Sequence, residues 1–384
     1  MKIKRLEYTD YAKGWRLEPV EFSNLNLLVG ISGAGKTKIL SAISNLQEIA
    51  NGKSINGIDW EIIFLTDENR EYRWIGKFET ITKSEASFIY ESATNNERDK
   101  SEILTERLFL NKIPLVERER NIIEFQGTQL PKLSAFESVL VIFKSEDIVR
   151  PAWQGFQEII FSVENIASKN QIYPVPFTML ANKYLTMEDI IKSGLREQIK
   201  LALIYNNVPD LFQAIKNKFI QVFPTIENIK IEPFNINSSQ DNPIAINEFP
   251  LIYIKEKGVI NWIRQEEVSS GMYRTLISIA ELYLSPNGSL IIIDEFENGL
   301  GINCIDAVTE EIISGDRDLQ FILTSHHPYI INNIPMDYWK IVSRKGGVVT
   351  VKSAKELNLG KSKHQAYLQL INKLETYNVE KEVA

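Results

Sequence analysis

The segment GISGAGKT at residues 30–37 constrains the fold of this chain more than any other stretch. It fits the pattern G-x-x-x-x-G-K-[S/T], whose glycines allow backbone N–H groups to turn inward around an anion. The apolar run LNLLV at 25–29 comes before it, and apolar residues recur at helical spacing over 39–49 after it. Strand, glycine loop and helix in this order predict a phosphate-binding loop, because the N-terminus of a helix favours negative charge.

The residue types of this loop predict a nucleoside triphosphate as the ligand, with Mg²⁺ beside it. Lys36 is placed to reach the β- and γ-phosphates, and the hydroxyl of Thr37 to ligate Mg²⁺. An ordinary glycine turn that caps a helix is the plainer interpretation, but strand and helix flank the loop on the sides that a phosphate site requires. The predicted nucleotide-binding residues of this segment are Gly30, Ile31, Ser32, Gly33, Ala34, Gly35, Lys36, Thr37 and Lys38.

Composition narrows the class of protein. The 384 residues are 44% hydrophobic, enough for at least one large core, and the net charge of −7 argues against a polybasic nucleic-acid or membrane-surface protein. The single cysteine, Cys304, excludes an intrachain disulfide framework and fits a reducing compartment. No stretch approaches the roughly 18 consecutive apolar residues of a spanning helix. We therefore expect a cytoplasmic protein without a membrane segment.

Hydrophobic periodicity predicts an α/β fold with an inserted helical lobe. The predicted parts are residues 1–135, with the phosphate loop and an antiparallel β meander; 136–265, a helical lobe with short strands; 266–350, where the α/β core resumes; and 351–384, a helical tail. Helical periodicity is clearest over 185–205, LTMEDIIKSGLREQIKLALIY. Alternating apolar strands and helices in the third part favour a mixed or parallel sheet core.

The segment LIIIDEFENG supplies the carboxylates that such a site needs. Its apolar residues 290–293 predict a strand that is buried on both faces, so Asp294 follows at the strand's carboxyl end, where open α/β sheets bind ligands. Asp294 is expected to hold Mg²⁺ through water. Glu295 is placed to polarise the water that attacks the γ-phosphate. A strand that ends in a solvated acidic turn is the alternative for this segment taken alone.

A serine-glycine turn and a histidine pair complete the set of motifs. Ser269, Ser270 and Gly271 start an amphipathic helix, either as a simple N-cap or as donors to a phosphate that belongs to another subunit. His326 and His327 follow an apolar strand. We expect His326 to donate to the γ-phosphate or to order the attacking water, and His327 to pack the turn, although a structural role is the alternative for both.

The order of these four motifs resembles that of the ATP-binding-cassette ATPases, with VSSGM in place of their LSGGQ signature and His326 as their switch histidine. The stretches NLLVGISGAGKTKILSAI, SSGMYRTL, IDEFENGLG and LTSHHP resemble the SMC/RecF-like branch. Within it they resemble AAA ATPases related to the overcoming-lysogenization-defect (OLD) proteins and to antiphage ATPase subunits such as Septu and PARIS. The resemblance implies a P-loop ATPase head that uses ATP and Mg²⁺. It also implies a head-to-tail dimer, with each ATP held between residues 30–37 of one copy and 269–271 of the other.

Three functions follow from the resemblance. The first is an ATPase that regulates a separately encoded nuclease or toxin in antiphage defence, because the residues after His327 are too few for the C-terminal nuclease of OLD proteins. The second is a RecF-like repair ATPase that clamps DNA, and the third is the nucleotide-binding subunit of a transporter. Cations of the helical lobe either contact DNA phosphates or form a solvated helix face: Lys192, Arg196, Lys200, Lys216 and Lys218.

Two features of the resemblance have no clear residue in the sequence. A Q-loop glutamine that could ligate the metal is not evident. The candidates by location are Gln126, Gln129 and Gln154, whereas the predicted strand exit VIFKSED offers Lys144 and Ser145 instead. Trp15 and Arg16 lie before the phosphate loop, where related proteins often stack the adenine, but an exposed or a core tryptophan fits the sequence at least as well. We assign neither feature to a residue.

Overall fold

The computed structural model describes residues 1–66, 68–81, 100–162, 175–235, 248–298, 300–315, 317–359 and 369. Its strands are, in chain order, β1 (Lys2–Asp10), β2 (Trp15–Glu21), β3 (Leu25–Val29), β4 (Ile58–Leu65), β5 (Glu71–Phe78), β6 (Ile103–Leu110), β7 (Ile113–Glu119), β8 (Ile122–Phe125), β9 (Thr128–Gln129), β10 (Ile159–Phe161), β11 (Ile226–Asn235), β12 (Glu248–Glu256), β13 (Ile263–Arg264), β14 (Leu290–Ile293), β15 (Gln320–Ser325), β16 (Trp339–Lys345) and β17 (Val348–Ser353). Its helices are α1 (Lys36–Ala50), α2 (Val139–Ile142), α3 (Arg150–Gln157), α4 (Phe177–Lys183), α5 (Met187–Lys192), α6 (Glu197–Asn207), α7 (Pro209–Val222), α8 (Ser270–Leu284), α9 (Ile302–Ser314) and α10 (Pro328–Asn333), and Met336–Tyr338 forms a 3₁₀ turn.

The chain divides into two compact units. Unit 1 comprises Met1–Ser162, Asn287–Glu295 and Arg317–Ala384, and unit 2 comprises Val163–Pro286 and Phe296–Asp316. None of the helices in the part of the chain that the structure describes combines the length and apolarity of a bilayer-spanning segment.

Unit 1 is built on a 14-stranded sheet in the order β10-β14-β15-β3-β16-β17-β2-β1-β4-β5-β6-β7-β8-β9. The strands β10, β14, β15, β3 and β16 run parallel to one another, β16 pairs in antiparallel with β17, and β4 to β9 form an antiparallel meander. Every residue of β3, β14 and β15 is buried, as expected for parallel strands covered on both faces. The predicted α/β class, with a parallel core and an antiparallel subdomain, is therefore confirmed.

The sequence did not predict the link between core and meander. Strand β2 pairs in parallel with β17 and in antiparallel with β1, and β1 continues the sheet to β4. Core and meander thus form one sheet. Helix α1 presents an apolar face to it, because its buried residues recur at helical spacing: Ile39, Leu40, Ala42, Ile43, Leu46, Ile49 and Ala50.

An aromatic cluster anchors α3 to the sheet of unit 1. The ring of Phe156 on α3 lies 5.2 Å from that of Trp74 and 5.3 Å from that of Phe64, and Trp60 lies 5.0 Å from Trp74. Helix α3 also packs beside α1, where Gln47 Nε2 donates to the carbonyls of Phe156 at 2.8 Å and Ile159 at 3.0 Å. These contacts fix α1, and with it the helix N-terminus that follows the phosphate loop.

Unit 2 combines α4 to α9 with a three-stranded antiparallel sheet, β11-β12-β13. Helices α6, α7 and α8 pack on one another around buried apolar residues such as Phe212, Phe219 and Leu276. The periodic stretch 185–205 forms two helices, α5 and α6, rather than one. The reason is local: Ser193 and Arg196 adopt extended backbone with ψ of 140° and 151°, which no helix continues through.

The compact units do not coincide with the predicted parts. Residues 136–162 belong to unit 1 rather than to the helical lobe, because α2 and α3 pack against α1. Helices α8 and α9 belong to unit 2, because they contact each other and α7. In the predicted helical tail, 351–353 belong to β17, and all but one residue of 360–384 lie outside the described residues. The four-part division as folding domains stays a prediction.

Candidate functional site

A pocket of about 500 Å³ opens in unit 1 at the carboxyl ends of the parallel strands β3, β14 and β15. This is the edge of an open parallel sheet where ligands bind. It brings together all but one of the predicted loop residues with both predicted carboxylates and one predicted histidine. The lining residues are Val29, Gly30, Ile31, Ser32, Gly33, Gly35, Lys36, Thr37, Lys38, Asp294, Glu295, Thr324, His326, Ile331 and Arg344.

The glycines at the two ends of the loop are required by close approach of neighbouring strands. A Cβ at Gly30 would lie 2.5 Å from the carbonyl oxygen of Val342, and one at Gly35 would lie 2.9 Å from Val349 Cγ2. Gly35 also has φ of +105°, in the left-handed region that only glycine adopts at little cost, and it is the N-cap of α1. Ala34 is buried in the core and does not line the pocket.

The side chain of Lys36 folds back onto the backbone at the start of the phosphate loop. Its Nζ donates to the carbonyl oxygens of Gly30 at 2.7 Å and Ile31 at 3.2 Å. The ammonium therefore lies at the mouth of the loop. Phosphate oxygens carry more charge than carbonyl oxygens and would form stronger hydrogen bonds with this group.

The predicted metal ligands lie side by side. Thr37 Oγ1 donates to Asp294 Oδ2 at 3.3 Å, although the two residues are far apart in sequence. Both groups are oxygen donors, which Mg²⁺ prefers, and Mg²⁺ is usually held by one or two protein oxygens together with substrate phosphates and water. Among the described residues no group of three or more His, Cys, Asp or Glu side chains could hold a metal ion, so these residues do not form a site in which all metal ligands come from protein side chains. The donor set fits Mg²⁺ bound together with a phosphate.

Thr324 connects the two carboxylate residues and was missed by the sequence analysis. Its buried hydroxyl donates to Asp294 Oδ1 at 2.5 Å and accepts from the backbone N–H of Glu295 at 2.8 Å. Glu295 has φ of +50°, which is uncommon for a residue with a side chain. The Thr324 hydroxyl thus orients the Asp294 side chain and supports the turn that carries Glu295. Its only sequence signal is a hydroxyl residue two positions before the histidine pair.

The two histidines occupy different places. His326 is exposed and lines the pocket. The backbone N–H of His327 donates to Ser325 Oγ at 3.0 Å, and its Nδ1 accepts from the backbone N–H of Tyr329 at 3.2 Å, so His327 caps α10. The geometry is that expected for the predicted division of roles, which stays a prediction for His326.

A basic end of the pocket lies on the side of β3 away from β14, and its Arg344 was also missed, whereas Lys38 was predicted. It contains Arg344 on β16 and Lys38 in the first turn of α1, whose Nζ lies 4.7 Å from the centre of the Trp15 ring. Burial, and then the charge of Arg344, lower the pKa of the Lys38 ammonium. Trp15 is only 5% exposed and does not line the pocket, which identifies it as a core residue.

The serine-glycine turn belongs to unit 2. Ser269 is exposed and is the N-cap of α8, where its Oγ accepts from the backbone N–H of Met272 at 3.2 Å. Gly271 is half-buried, and its carbonyl accepts from Thr275 Oγ1 at 2.7 Å. The predicted N-cap is present, and the Ser269 side chain is accessible from solvent. A role of 269–271 toward a second nucleotide stays a prediction.

The cations proposed as DNA contacts are largely engaged inside unit 2. Lys192 pairs with Glu188 at 2.6 Å, and Lys218 pairs with Glu311 at 2.8 Å. Lys200 is buried and donates to a carbonyl, and Lys216 donates to Asn228 Oδ1 at 3.2 Å. These four lysines have partners within the protein and Arg196 is engaged as well, so the arrangement of the five cations does not favour a DNA-binding surface.

Strand β10 pairs in parallel with β14, so its carboxyl end lies at the same edge of the sheet as the pocket. Strand β10 ends at Phe161 and is followed by Ser162, whose N–H donates to the Ile292 carbonyl at 2.9 Å. None of the five Q-loop candidates occupies this end of β10, because they lie in a turn, in β9, in α3 and after α2: Gln126, Gln129, Gln154, Lys144 and Ser145. Residues 163–174 lie outside the described residues.

Three solved structures are among the chains that resemble this one. An SMC head bound to the C-terminal winged-helix domain of ScpA has 16% identity, covers 92% of this chain and 97% of that chain, and gives a TM-score of 0.49. The SMC head of Pyrococcus furiosus with an extended coiled coil, bound to the C-terminal domain of ScpA, has 14% identity, coverage of 93% and 98%, and a TM-score of 0.49. The SMC head of Thermotoga maritima has 12% identity, coverage of 92% and 99%, and a TM-score of 0.42.

No curated protein matches the chain. Residues 25–332, which include the phosphate loop, Asp294, Glu295 and both histidines of the pair, match the family described as "AAA domain, putative AbiEii toxin, Type IV TA system". The recognition of a P-loop ATPase fold from the motifs is thus confirmed by the family match and by the observed sheet. The match covers well over half of the chain, and the chain belongs to this family of AAA domains.

Proposed function

We propose that this protein is a cytoplasmic ATPase that binds and hydrolyses ATP with Mg²⁺ and works as a head-to-tail dimer. One observation carries the proposal: the Thr37 hydroxyl meets the Asp294 carboxylate at 3.3 Å in the same pocket as the phosphate loop, with Glu295 next to it. The purified protein is expected to release phosphate from ATP when Mg²⁺ is present and to stop when a chelator removes it. A protein that binds ATP but shows no Mg²⁺-dependent turnover would contradict hydrolysis.

The loop and its lysine bind the phosphates. The glycine-rich loop leads into α1, whose first N–H groups and dipole attract an anion. The Lys36 ammonium, which donates to the carbonyls of Gly30 and Ile31, would exchange these partners for phosphate oxygens when a nucleotide binds.

Thr37 and Asp294 would hold Mg²⁺ together with phosphate oxygens. When bound, the ion neutralises charge that develops on the transferred phosphoryl group. The protein's contribution is to aim the two oxygen ligands, and Thr324 does so for Asp294 through the 2.5 Å hydrogen bond. Glu295 lies beside this ligand and accepts a proton from the attacking water, whereas His326 donates a hydrogen bond toward the terminal phosphate.

Dimerisation would complete the site. Asp294, Glu295 and His326 are exposed to solvent, so the pocket of unit 1 does not exclude water by itself. Electrostatic stabilisation in an active site is much stronger when water is excluded. The exposed turn of Ser269, with the N-terminus of α8, is the surface that a second copy would bring to the nucleotide.

The partner of this ATPase is proposed to be a separately encoded effector, a nuclease or a toxin, in antiphage defence. The family description, which names a putative AbiEii toxin of a type IV toxin–antitoxin system, supports a role in such a system and names no separate effector. ATP-dependent closure of two copies would then control the effector. A DNA clamp is a less favoured alternative, because the lysines of unit 2 are engaged in ion pairs and hydrogen bonds.

Replacing Thr324 tests whether its hydroxyl positions the metal-binding carboxylate. Thr324→Val keeps the volume but removes both hydrogen bonds, so we expect kcat to fall roughly 10- to 100-fold and the Mg²⁺ concentration at half-maximal rate to rise. ATP affinity without metal should stay within about twofold, and Thr324→Ser should restore most of the rate.

A matched control for this change is Thr309→Val. Thr309 is buried like Thr324, but its hydroxyl has no hydrogen-bond partner in the described structure. It lies in α9, and the same substitution there should leave turnover and Mg²⁺ dependence unchanged. If Thr324→Val and Thr309→Val behave alike in a phosphate-release assay, the positioning role is wrong.

A further inference from the structure

The pocket has a second anion-binding element that the phosphate loop motif does not include. Lys38 and Arg344 both line the pocket, close enough for the charge of one to act on the other, and neither has an ion-pair partner among the residues that the structure describes. Many other cations of unit 1 are paired, for example Arg73 with Glu61 at 3.1 Å. Two unpaired cations that face one pocket repel each other, and an anion between them would relieve the repulsion.

The fold holds Arg344 beside the end of the loop. Strand β16 runs parallel to β3 with Ile341 opposite Val29, so its continuation passes alongside the phosphate loop. Arg344 pairs across the hairpin with Val349, whose side chain touches the position of Gly35. Directly opposed residues project to the same face of a sheet, so Arg344 projects toward the last glycine of the loop.

Both cations are held in place. Arg344 Nε donates to the carbonyl of Gly346 at 2.7 Å, and this fixes the side chain near the hairpin turn. The Lys38 ammonium lies over the buried ring of Trp15 at 4.7 Å, and a cation–π contact of this kind restrains a lysine. The restraints mean that little side-chain freedom is lost when an anion binds.

We propose that Arg344, together with Lys38, binds the α-phosphate of the nucleotide. The proposal rests on the proposed binding of ATP and extends it to a residue outside the sequence motifs. Asp294 and Glu295 follow β14, whereas Arg344 lies on β16, on the other side of β3 in the sheet. The metal and the terminal phosphate belong beside the carboxylates, where Thr37 meets Asp294. Lys38 lies two positions after Lys36 in the first turn of α1. The basic end therefore corresponds to the phosphate nearest the nucleoside.

The alternative ligand for an arginine at this place is the base, on which a guanidinium can stack. The observations favour the phosphate, since two cations converge where a neutral base would need only one planar group. Substitution of Arg344 should weaken binding of inorganic tripolyphosphate if the arginine contacts a phosphate, but not if it stacks on the base. It carries three linked phosphates without a nucleoside, so it reports phosphate contacts alone.

The test measures dissociation constants of ATP, GTP and inorganic tripolyphosphate by calorimetry for the wild type and for Arg344→Ala. We expect Arg344→Ala to raise the dissociation constants of all three ligands by about tenfold, as loss of one charge-assisted hydrogen bond would. Arg344→Lys, which keeps the charge, should lose about threefold. Lys345→Ala is the matched control, because it removes the same charge from the next residue, whose side chain alternates to the other face of the sheet.

The affinities of the Arg344 variants for ATP and tripolyphosphate distinguish a phosphate contact from a nucleoside contact. If Arg344→Ala weakens ATP but leaves tripolyphosphate unchanged, the contact is with the nucleoside and the phosphate assignment is wrong. Equal affinity of wild type and variant for ATP would overturn any contact. Should Arg344→Ala unfold, the Arg344→Lys variant still distinguishes the ligands. If the wild type binds no nucleotide, both the proposed ATP site and this proposal are wrong. If the wild type binds ATP and the Arg344→Ala substitution leaves the dissociation constant unchanged, only this proposal is wrong.

Discussion

Lys36→Ala is expected to weaken ATP binding by at least about 100-fold, since two charge-assisted hydrogen bonds to phosphate are lost. The lysine is already in position, with Nζ at 2.7 Å from the Gly30 carbonyl and 3.2 Å from that of Ile31. When ATP binds, charged phosphate oxygens replace these neutral carbonyl acceptors. The alanine variant can form neither the hydrogen bonds to the carbonyls nor those to the phosphates. Titration calorimetry with and without Mg²⁺ measures the loss, and a phosphate-release assay should show turnover at background.

The variant should remain folded. Lys36 is half-buried at an open pocket, so the two carbonyls that lose its ammonium remain accessible to water. Thermal unfolding without nucleotide should therefore shift by no more than a few degrees. Lys53→Ala is the matched control, because Lys53 is an exposed lysine outside the pocket that pairs with Glu48 at 2.7 Å. Wild-type ATP affinity in a folded Lys36→Ala variant would show that the loop does not bind the phosphates.

The parts of the site that sequence could predict are those set by local order along the chain. An apolar strand, then a glycine loop, then an amphipathic helix leaves little choice of conformation, and β3 and α1 formed as predicted. The same holds for Asp294, because a continuous apolar run before it can only be a covered strand in this context. Local patterns of this kind need no knowledge of distant residues.

The missed residues depend on strand neighbours instead. Arg344 reaches the pocket only because β16 pairs with β3, with Trp339 opposite Leu27, and nothing near residue 344 signals this register. Thr324 acts on Glu295 only because β15 lies beside β14. Likewise β10 has three residues, too few for a periodic pattern, and its assignment comes from its pairing with β14.

Glu295→Gln is expected to lower the rate of hydrolysis by about 10²- to 10⁴-fold while leaving ATP binding close to that of the wild type. The change removes the proton acceptor but keeps the size of the side chain. The backbone N–H of residue 295 still donates to Thr324 Oγ1, so the turn with positive φ keeps its support. Glu295→Asp, which retains a carboxylate at a shorter reach, should keep part of the rate. A Glu295→Gln variant that turns over like the wild type would exclude Glu295 as the base.

The same variant should accumulate as a dimer when ATP and Mg²⁺ are present, because the nucleotide that joins the two copies is not consumed. Light scattering would show twice the monomer mass with ATP and the monomer mass without it. Adding Ser269→Arg should abolish the dimer, since the exposed N-cap of α8 would carry a bulky side chain into the shared site. Thr186→Arg is the matched control: Thr186 is also an exposed N-cap of unit 2, at the start of α5. A dimer that tolerates Ser269→Arg but not Thr186→Arg would place the interface elsewhere, and a Glu295→Gln variant that binds ATP as a monomer would refute the shared site.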